Sequence, residues 1–495
     1  MAGVLLLAVT HRLDRLGARN LWPDEAHSLD LARRTLPEIL TYLRSNDPHP
    51  VGYYALLSFW IRVVGQDLVW MRALSLVFGV AAIVLTWRLG RRLFSATVGV
   101  GAAALLALNP FQIFASNELR MYMPLEFLAL LSTWTLWRAR ESADRHVWWV
   151  GYGASVALML YVSYYAFPLI AGHALWIFLH RMRVTARQAG IAALTGLVLY
   201  APWIPYLRYT AAILGSNPLG WRGQPIYATY VPELIASQTF GGYLFNMLSY
   251  HSFRGLDLEY FGMFLFLFLV LAAAGVFVLG RMNRPARSLI ALCWLVPVIL
   301  VVLISLAFGR VAAYAYHLNF LQPFLALFVA AGMIHLRDAV ANAPGSLVAL
   351  GAVLGVLAFM APAVDNLQWN PDYQYYRFDR AARLVRDLYE PTDVVVYLPQ
   401  GIHLNFEFYF DPPGKKLGVV MDLRQWTIES LRDSIRDVAR SLTPADRRVW
   451  VVYSPPVPEG GMRELVTAIT QQGYRLAIIH DYKGVDVGLL VRPLR

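Results

Sequence analysis

The sequence predicts an α-helical polytopic membrane protein with a small α/β domain at its C-terminal end. Of its 495 residues, 58% are apolar or aromatic and only 15% are charged, against about 25% charged residues in ordinary soluble domains. Several apolar runs reach the ~20 residues that a helix needs to cross a bilayer. Two of these runs, Tyr260–Leu279 and Ser288–Phe308, contain no charged residue. This composition excludes a soluble enzyme.

About eleven transmembrane helices are expected from the apolar runs. The first run, Met1–Val9, is too short to span alone, and we interpret it as the outer end of a span that begins before this sequence. The other ten spans are expected at residues 68–90, 96–115, 119–139, 147–165, 166–182, 189–207, 260–280, 288–308, 313–335 and 345–364. Residues 51–64 are apolar but short, which favours an amphipathic helix along the outer membrane surface.

Arginine lies at alternate ends of these spans, and this pattern predicts their orientation. The links expected in the cytoplasm all carry arginine: 91–95, 140–146, 183–188, 281–287 and 336–344. Three regions then lie outside, namely a first outer loop at 10–67, a second large outer loop at 208–259 and the tail at 365–495. The net charge of +11 is therefore typical of positive-inside loops. Binding of nucleic acid is not indicated, because no basic stretch of the sequence is interleaved with stacking aromatic residues.

The tail from Asp365 to Arg495 predicts an extracytoplasmic α/β domain, which leaves residues 1–364 as the transmembrane domain. Strand-like apolar runs at 394–398, 448–453, 475–479 and 485–491 alternate with amphipathic helical stretches at 377–389, 427–441 and 461–472. The tail contains no glycine-rich phosphate loop, so a nucleotide site is not expected there. The single cysteine, Cys293, lies in an apolar run, which excludes a disulfide framework.

Two adjacent carboxylates, Asp24 and Glu25, follow Pro23 in the first outer loop. One interpretation is structural, because proline suits the first position of a helix and acids in the first turn favour the helix dipole. The other is catalytic, because carboxylates at the membrane surface lie close to a lipid-borne substrate. One of the two would then act as a general base, and its neighbour would orient or bind the substrate.

A second polar motif, Asp47 with His49, precedes the expected surface helix. The structural interpretation is a proline-punctuated turn that starts this helix. The functional interpretation is that a carboxylate and an imidazole two residues apart hold a phosphate or a divalent cation. Two ligands do not make a metal site, so the sequence leaves a metal at Asp47 and His49 open.

Basic residues at the outer ends of later spans favour a bound anion. Arg120, followed by Tyr122, lies on the side of the membrane that the positive-inside bias disfavours, which is explained if it binds a phosphate. Arg310 and His317 lie in a similar position at the outer end of a later span. Glu126 lies one turn inside the fourth span, and an ion pair with Arg120 is one interpretation. His251 and Arg254, in the second outer loop, are weaker candidates.

The order of these motifs resembles that of a known group of membrane enzymes. Trp-Pro-Asp-Glu-Ala-His-Ser is followed by Asp-Pro-His-Pro-Val-Gly-Tyr-Tyr, by Arg-Ala-Leu-Ser before a span that ends in Gly-Arg-Arg-Leu-Phe, and by Asn-Glu-Leu-Arg-Met-Tyr. This order resembles the membrane glycosyltransferases of the protein O-mannosyltransferase type and their bacterial relatives that transfer aminoarabinose or galacturonic acid to lipopolysaccharide. The similarity covers about residues 15–140.

The resemblance implies a GT-C fold and a sugar donor carried on a polyprenyl or dolichyl phosphate. The paired-acid motif of the family, which carries the catalytic carboxylate, maps onto Asp24, with Glu25 beside it. The proline-rich motif of the family maps onto residues 47–50, which include His49, and its arginine–tyrosine motif maps onto Arg120 and Tyr122. Together with Arg310 and His317, which their position at an outer end suggests, these residues are expected to bind the donor phosphate. The partners implied are this donor, a lipid, glycan or protein acceptor, and membrane lipids, with no nucleic acid. The expected location is the bacterial inner membrane, with the active site and the C-terminal domain on its extracytoplasmic face.

The chemistry of the residues is consistent with an inverting transfer. A lipid-phosphate leaving group needs charge stabilisation more than it needs a proton, and arginine and imidazole supply that charge. Attack by a hydroxyl from the opposite face of the sugar, with Asp24 as base, would invert the anomeric centre.

A membrane transporter or a flippase for lipid-linked sugars is the alternative. Transporters place ionisable groups near the bilayer midplane and often contain broken helices in paired repeats, whereas the acids and histidines here gather at outer ends. A receptor with a ligand-binding tail would leave the acidic first loop unexplained.

Overall fold

The computed structural model describes ten stretches of the chain. They are residues 1–14, 16–142, 145–180, 185–216, 225–226, 230–237, 258–340, 376–420, 428–454 and 460–493. Contacts divide the chain into two compact units. The membrane unit comprises residues 1–16 and 34–369, and the tail unit comprises residues 17–33 and 370–495. The first outer loop is thus divided, because its segment 17–33 groups with the tail and not with the bundle.

The membrane unit is built from α-helices. Up to position 340, the described residues of the chain form sixteen of them: α1 (Ala2–Leu13), α2 (Pro23–Arg33), α3 (Leu36–Leu43), α4 (Gly52–Val64), α5 (Leu68–Leu93), α6 (Ala96–Leu108), α7 (Pro110–Ser116), α8 (Tyr122–Glu141), α9 (His146–Val162), α10 (Phe167–Leu179), α11 (Ala186–Tyr200), α12 (Ile204–Ser216), α13 (Tyr230–Ser237), α14 (Leu258–Met282), α15 (Arg284–Phe308) and α16 (Gln322–Val340). Of these, α2 belongs to the tail unit.

Four helices in the described part of the chain are long and apolar enough to cross a membrane: Leu68–Leu93, Ala186–Leu214, Arg284–Phe308 and Tyr316–Leu336. A bent pair, α6 and α7, makes a fifth candidate, and shorter apolar helices accompany these. The multi-pass helical architecture is therefore confirmed, whereas the number of eleven spans stays a prediction. The span expected at 345–364, and most of the second outer loop, lie outside the described residues.

Helices α6 and α7 meet at an angle of 66°. The bend lies at Asn109 and Pro110, and proline has no backbone N–H with which to continue the hydrogen-bond ladder of α6. The Asn109 side chain caps the new helix instead, because its Oδ1 accepts the backbone N–H groups of Phe111 at 2.8 Å and Gln112 at 3.2 Å. A run that reads as one span in the sequence is thus divided into two helices.

Helices α14 and α16 approach closely through two glycines. A Cβ atom at Gly275 would lie 1.8 Å from the carbonyl oxygen of Phe328, and one at Gly332 would lie 1.9 Å from the carbonyl oxygen of Leu271. Both distances are far shorter than any non-bonded contact. Small residues permit this backbone-to-backbone packing, which is typical of helix pairs in membranes.

The tail unit contains a five-stranded sheet with the order β2-β1-β3-β5-β4. Its strands are β1 (Val394–Leu398), β2 (Lys415–Gly418), β3 (Arg448–Tyr453), β4 (Arg475–Tyr482) and β5 (Val485–Val491). Strand β1 pairs in parallel with β2 and β3, whereas β5 runs antiparallel to β3 and β4. Four helices follow the α2 segment in this unit: α17 (Phe378–Leu388), α18 (His403–Tyr409), α19 (Ile428–Arg440) and α20 (Gly461–Thr470).

The two faces of this sheet are both covered. Alternate residues of β1 and β3 pack against α19 and α20 on one face and against α17 and α18 on the other. Most residues of β1, β3 and β5 are apolar and buried, and these apolar runs explain why the sequence locates the three strands correctly. Strand β2 and helix α18 are not predicted, because both are short and neither has a clear apolar period.

We expect Gly275→Ala to destabilise the bundle, because the added methyl group forces α14 and α16 apart at a cost of about 1–3 kcal/mol. The measurement is the Tm of the protein in detergent. Gly190→Ala is the matched control, since a Cβ there meets no atom within 4 Å and alanine favours the helix. Equal Tm values for the two variants would contradict this account of the packing.

Candidate active site

Helix α2 begins just before the paired acids, because Trp22 and Glu25 cap the N-terminus of this helix. The carbonyl oxygen of Trp22 accepts the backbone N–H groups of Glu25 and Ala26, both at 3.0 Å, so Trp22 is the N-cap. Glu25 is the third helical residue, and its Oε2 accepts the backbone N–H of Trp22 at 3.4 Å. This reciprocal contact is half of a capping box. The structural interpretation of the motif therefore applies to Glu25.

Burial distinguishes the two acids. Glu25 is fully buried, with 0% of its surface exposed, whereas Asp24 is half-buried. A general base must come within hydrogen-bond reach of the hydroxyl from which it takes a proton. Asp24 is the more accessible of the two acids, whereas the Glu25 carboxylate contacts the backbone at the start of its own helix.

The residues before α2 are anchored within the tail unit. The backbone N–H of Leu21 donates to the hydroxyl oxygen of Tyr409 at 3.1 Å, and the Leu21 carbonyl oxygen accepts Nδ2 of Asn405 at 2.9 Å. The side chain of Asn20 donates to Asp379 at 2.6 Å. Sequence analysis did not find Asn405 or Tyr409, because a single amide and a single phenol in a seven-residue helix give no recognisable signal.

Asp47 and His49 form a hydrogen-bonded pair in the membrane unit. Oδ1 of Asp47 accepts both the backbone N–H of His49, at 2.8 Å, and its ring Nδ1, at 2.6 Å. Oδ2 of Asp47 accepts the hydroxyl of Tyr54 at 2.7 Å. The carboxylate, which is 5% exposed, thus fixes the proton of His49 on Nδ1. His49 has 25% of its side chain exposed, and its Nε2 has no hydrogen-bond partner among the described residues.

Asp47 and His49 do not fit a metal centre. Both carboxylate oxygens of Asp47 already accept hydrogen bonds within the loop and from Tyr54. Across the described residues, no group of three or more His, Cys, Asp or Glu side chains is arranged to hold a metal ion. The geometry instead favours an orienting role for Asp47 and a ligand contact through Nε2 of His49.

Arg120 and Tyr122 converge with Tyr316 and His317, although almost two hundred residues separate the two pairs. The guanidinium of Arg120 lies 6.0 Å from the ring centroid of Tyr122. The Tyr122 ring lies 5.7 Å from that of Tyr316, which in turn lies 4.2 Å from the imidazole of His317. We call these four residues the arginine–histidine cluster. Arg120 is 3% exposed, so its positive charge is held inside the bundle and not in water.

His317 is oriented by its own turn. Its Nδ1 lies 3.1 Å from the backbone nitrogen and 3.3 Å from the carbonyl oxygen of Tyr314, so both backbone groups of that residue hold the ring in place. The imidazole also packs on the ring of Tyr165 at 4.6 Å, and the Tyr165 hydroxyl donates to the carbonyl oxygen of Ala312 at 2.9 Å. The arginine–histidine cluster therefore contains rigidly held hydrogen-bond donors.

Other candidates do not join this cluster. Arg310 is exposed, and its guanidinium makes no hydrogen bond or ion pair with a described residue. Its backbone instead pairs with Pro225. His251 and Arg254 lie outside the described residues.

The suggested ion pair between Glu126 and Arg120 is wrong. Oε2 of Glu126 accepts Nε2 of Gln112 at 2.7 Å and Nδ2 of Asn319 at 2.9 Å. The three residues are buried, with at most 1% of any of them exposed. Glu126 turns away from Arg120 because these amides reach it from α7 and from the turn before α16. The feature of the sequence that could indicate this network is the presence of polar side chains inside apolar runs, because such residues in a bundle face one another.

Comparison with known proteins identifies the architecture. Residues 48–206, about a third of the chain, match the family described as dolichyl-phosphate-mannose-protein mannosyltransferase. No curated protein matches the sequence.

Solved structures match almost the whole chain. ArnT from Cupriavidus metallidurans, in the form bound to undecaprenyl phosphate, aligns with a TM-score of 0.60 at 14% identity, over 99% of this chain and 96% of that one. The archaeal oligosaccharyltransferase AglB from Archaeoglobus fulgidus, in complex with an inhibitory peptide and a dolichol-phosphate, aligns with a TM-score of 0.55 at 13% identity. That alignment covers 98% of this chain and 73% of that one. The expected GT-C fold is therefore confirmed.

Proposed function

We propose that this chain, a multi-pass membrane glycosyltransferase of the GT-C type, moves a sugar from a polyprenyl-phosphate donor to an acceptor hydroxyl or phosphate. The acceptor belongs to a lipid, a glycan or a protein, and the reaction takes place on the extracytoplasmic face of the membrane. The family match over residues 48–206 and the fold shared with ArnT and AglB support the class of reaction. The solved relatives were captured with undecaprenyl phosphate and with a dolichol-phosphate, which supports a donor of this kind.

One observation carries the assignment of the donor site: the arginine–histidine cluster. A buried guanidinium beside two tyrosines and an imidazole is an anion site, because arginine presents a planar fork of N–H donors that matches a phosphate. Burial strengthens such an interaction, since the surrounding dielectric is low. We assign Arg120, Tyr122 and His317 to the donor phosphate, and His49 to a second contact through Nε2.

The chemistry divides between charge stabilisation and proton transfer. As the bond between the anomeric carbon and the phosphate oxygen breaks, negative charge grows on the lipid phosphate, and positioned donors stabilise it. The acceptor oxygen attacks the anomeric carbon from the opposite face and loses its proton to Asp24. The products are a glycosylated acceptor with inverted configuration and a free polyprenyl phosphate. Glu25 holds the start of α2 and takes no proton.

We expect Asp24→Asn to lower turnover by about 10²–10⁴-fold, which is the usual contribution of a general base. The change keeps the shape of the side chain, so folding and donor binding should be retained. Glu25→Gln is the matched control and should cost less than tenfold, because an amide oxygen can still cap α2. The measurement is transfer of labelled sugar from polyprenyl phosphate to membrane acceptors, with donor binding measured separately. Normal turnover in a folded Asp24→Asn variant would refute the base assignment.

We expect Arg120→Lys to lower kcat/KM for the donor by about 10- to 100-fold, although the charge is kept. Lysine lacks the planar fork, and hydrogen bonds to charged groups contribute about 1.5–3 kcal/mol each. Arg281→Lys is the control, because Arg281 is exposed and lies over Phe277 at the end of α14. His49→Ala should also weaken binding of the free polyprenyl phosphate. Unchanged donor binding in Arg120→Lys membranes would remove Arg120 from the site.

The orientation of the chain is tested by proteolysis. Protease added to intact bacterial spheroplasts should cleave the tail at residues 376–493 and leave the arginine-rich link at 281–287 intact, because that link is expected in the cytoplasm. Antibody tags in the two segments report the cleavage. Protection of the tail with cleavage of the link would invert the topology and place the proposed reaction on the other face.

A further inference from the structure

We infer that helix α18 of the tail unit is a positioning element for Asp24, and that Asn405 and Tyr409 are the residues through which it acts. This inference rests on the proposed function, because it assigns to Asp24 the role of base. It gives the tail a part in the chemical step, beyond that of an appended domain. Helices α2 and α18 both belong to the tail unit.

The first support is the backbone of Leu21, because α18 binds both of its polar groups. Its N–H donates to the hydroxyl oxygen of Tyr409 at 3.1 Å, and its carbonyl oxygen accepts Nδ2 of Asn405 at 2.9 Å. The Leu21 side chain is itself buried. A residue held by its N–H, its carbonyl oxygen and its side chain has little freedom to shift. The chain is therefore fixed three residues before Asp24.

A second anchor lies at Asn20. Its Nδ2 donates to Oδ1 of Asp379 at 2.6 Å and to the carbonyl oxygen of Tyr376 at 3.0 Å. Asp379 is held in turn by Arg377. Nε of Arg377 donates to Oδ1 of Asp379 and Nη2 donates to Oδ2, each at 2.8 Å. Burial raises the pKa of Asp379, but the hydrogen bonds from Arg377 and Asn20 outweigh it and hold that pKa below its ordinary value. The carboxylate therefore stays an ionised acceptor at neutral pH.

The contact with Leu21 explains the asparagine at position 405 better than the stability of the tail unit does. The side chain of Asn405 is fully buried, and its only hydrogen bond to a described residue is the one to Leu21. Its Oδ1 has no hydrogen-bond partner among the described residues. A buried polar atom without a partner costs about 1–3 kcal/mol, so an apolar residue would serve the interior of the tail better. The bond to Leu21 accounts for an amide at this position.

Helix α18 is a firm support, although it has only seven residues. Phe406, on the same helix, is fully buried and packs edge-to-face on Tyr397 of β1 with 5.8 Å between ring centroids. Ile402, just before the helix, is buried in the same apolar layer. Because β1 pairs with neighbours on both of its sides, α18 stands on the central part of the sheet. The hydrogen bonds of Asn405 and Tyr409 therefore tie Leu21 to a helix that is packed on the sheet.

The short connection from Leu21 to Asp24 transmits this position. Trp22 is fixed as the N-cap, because its carbonyl oxygen and its N–H both bond within the first turn of α2. Pro23 has its φ angle locked near −65° by its ring. Few dihedral angles therefore remain free between the anchored Leu21 and Asp24. A displacement of about 1 Å at a reacting group can cost 10²-fold in rate, so the anchor matters for catalysis.

The test uses Tyr409→Phe and Asn405→Ala in the full-length enzyme, with Tyr389→Phe as the matched control. Tyr389 is a partly buried tyrosine of the same unit, and its hydroxyl contacts the carbonyl oxygen of Asp393, away from residues 20–25. Each loss of an anchor bond should lower kcat by about 3- to 10-fold, in line with the ~0.5–1.5 kcal/mol of one hydrogen bond. The KM for the polyprenyl-phosphate donor should not change, and Tyr389→Phe should leave kcat unchanged.

A double-mutant cycle with Asp24→Asn separates positioning from a general loss of structure. Residues that act through one group are not additive. If α18 acts through Asp24, Tyr409→Phe should change the residual rate of the Asp24→Asn enzyme by less than twofold. Amide hydrogen exchange in residues 24–28 should also be faster in Tyr409→Phe than in Tyr389→Phe. Should Asn405→Ala fail to fold, Tyr409→Phe carries the same test, and Asn20→Ala tests the second anchor, at Asp379 of α17.

Two results would overturn the inference and leave the proposed function intact. One is wild-type kcat in folded Tyr409→Phe and Asn20→Ala enzymes while Asp24→Asn is inactive, since Asp24 would then be essential but not positioned by this anchor. The other is an equal loss of rate with and without the Asp24 carboxylate, which indicates a structural role only. Full activity of Asp24→Asn itself refutes the base assignment, and the inference fails with it.

Discussion

The architecture of the membrane unit depends on pairing polar side chains inside an apolar bundle. Glu126 of α8 accepts hydrogen bonds from Gln112 of α7 and Asn319 of the turn before α16. Gln112 also donates a hydrogen bond to Oε1 of Gln322, and Asn109, at the bend between α6 and α7, donates to the same oxygen. A buried carboxylate without such partners would cost several kcal/mol. The network therefore fixes the turn that carries Tyr316 and His317 against the helix that follows Arg120.

A buried arginine lies at the bend. The ladder of α6 stops at Pro110, and the Leu106 carbonyl oxygen accepts the backbone N–H of Asn109 at 3.4 Å, a long hydrogen bond. Arg12 of α1, which is fully buried, donates to the carbonyl oxygens of Leu106 at 3.0 Å and Ala107 at 2.9 Å, and to the hydroxyl of Ser116 at 3.0 Å. Its positive charge also favours a helix C-terminus. Arg12 thus satisfies carbonyl oxygens at the end of α6 and connects α1 to α6 and α7.

Local patterns in the sequence were sufficient for some parts of the molecule and not for others. The apolar runs of β1, β3 and β5 coincide with their strands, because residues buried on both faces leave little ambiguity in the sequence. Arg120 and His317 were recognised separately, but no spacing rule could show that they converge, since tertiary packing alone brings their segments together. The grouping of residues 17–33 with the tail had no signal in the sequence. It involves single hydrogen bonds of Asn20 and Leu21 to residues more than 350 positions away, such as Asp379, Asn405 and Tyr409.

The proposed chemistry is supported by two kinds of packing, and this has a kinetic consequence. The donors assigned to the lipid phosphate are held by a hydrogen-bonded network inside the bundle, and phosphate binding contributes to both the ground state and the transition state. The proposed base is held on a capped helix start that is tied to a sheet, and proton transfer contributes only in the transition state. Changes in the bundle network should therefore act on KM for the donor as well as on kcat, whereas changes in the tail anchor should act on kcat alone. The proposal divides the carboxylate pair by burial: the buried Glu25 contacts the backbone at the helix start, and the half-buried Asp24 is the proposed base.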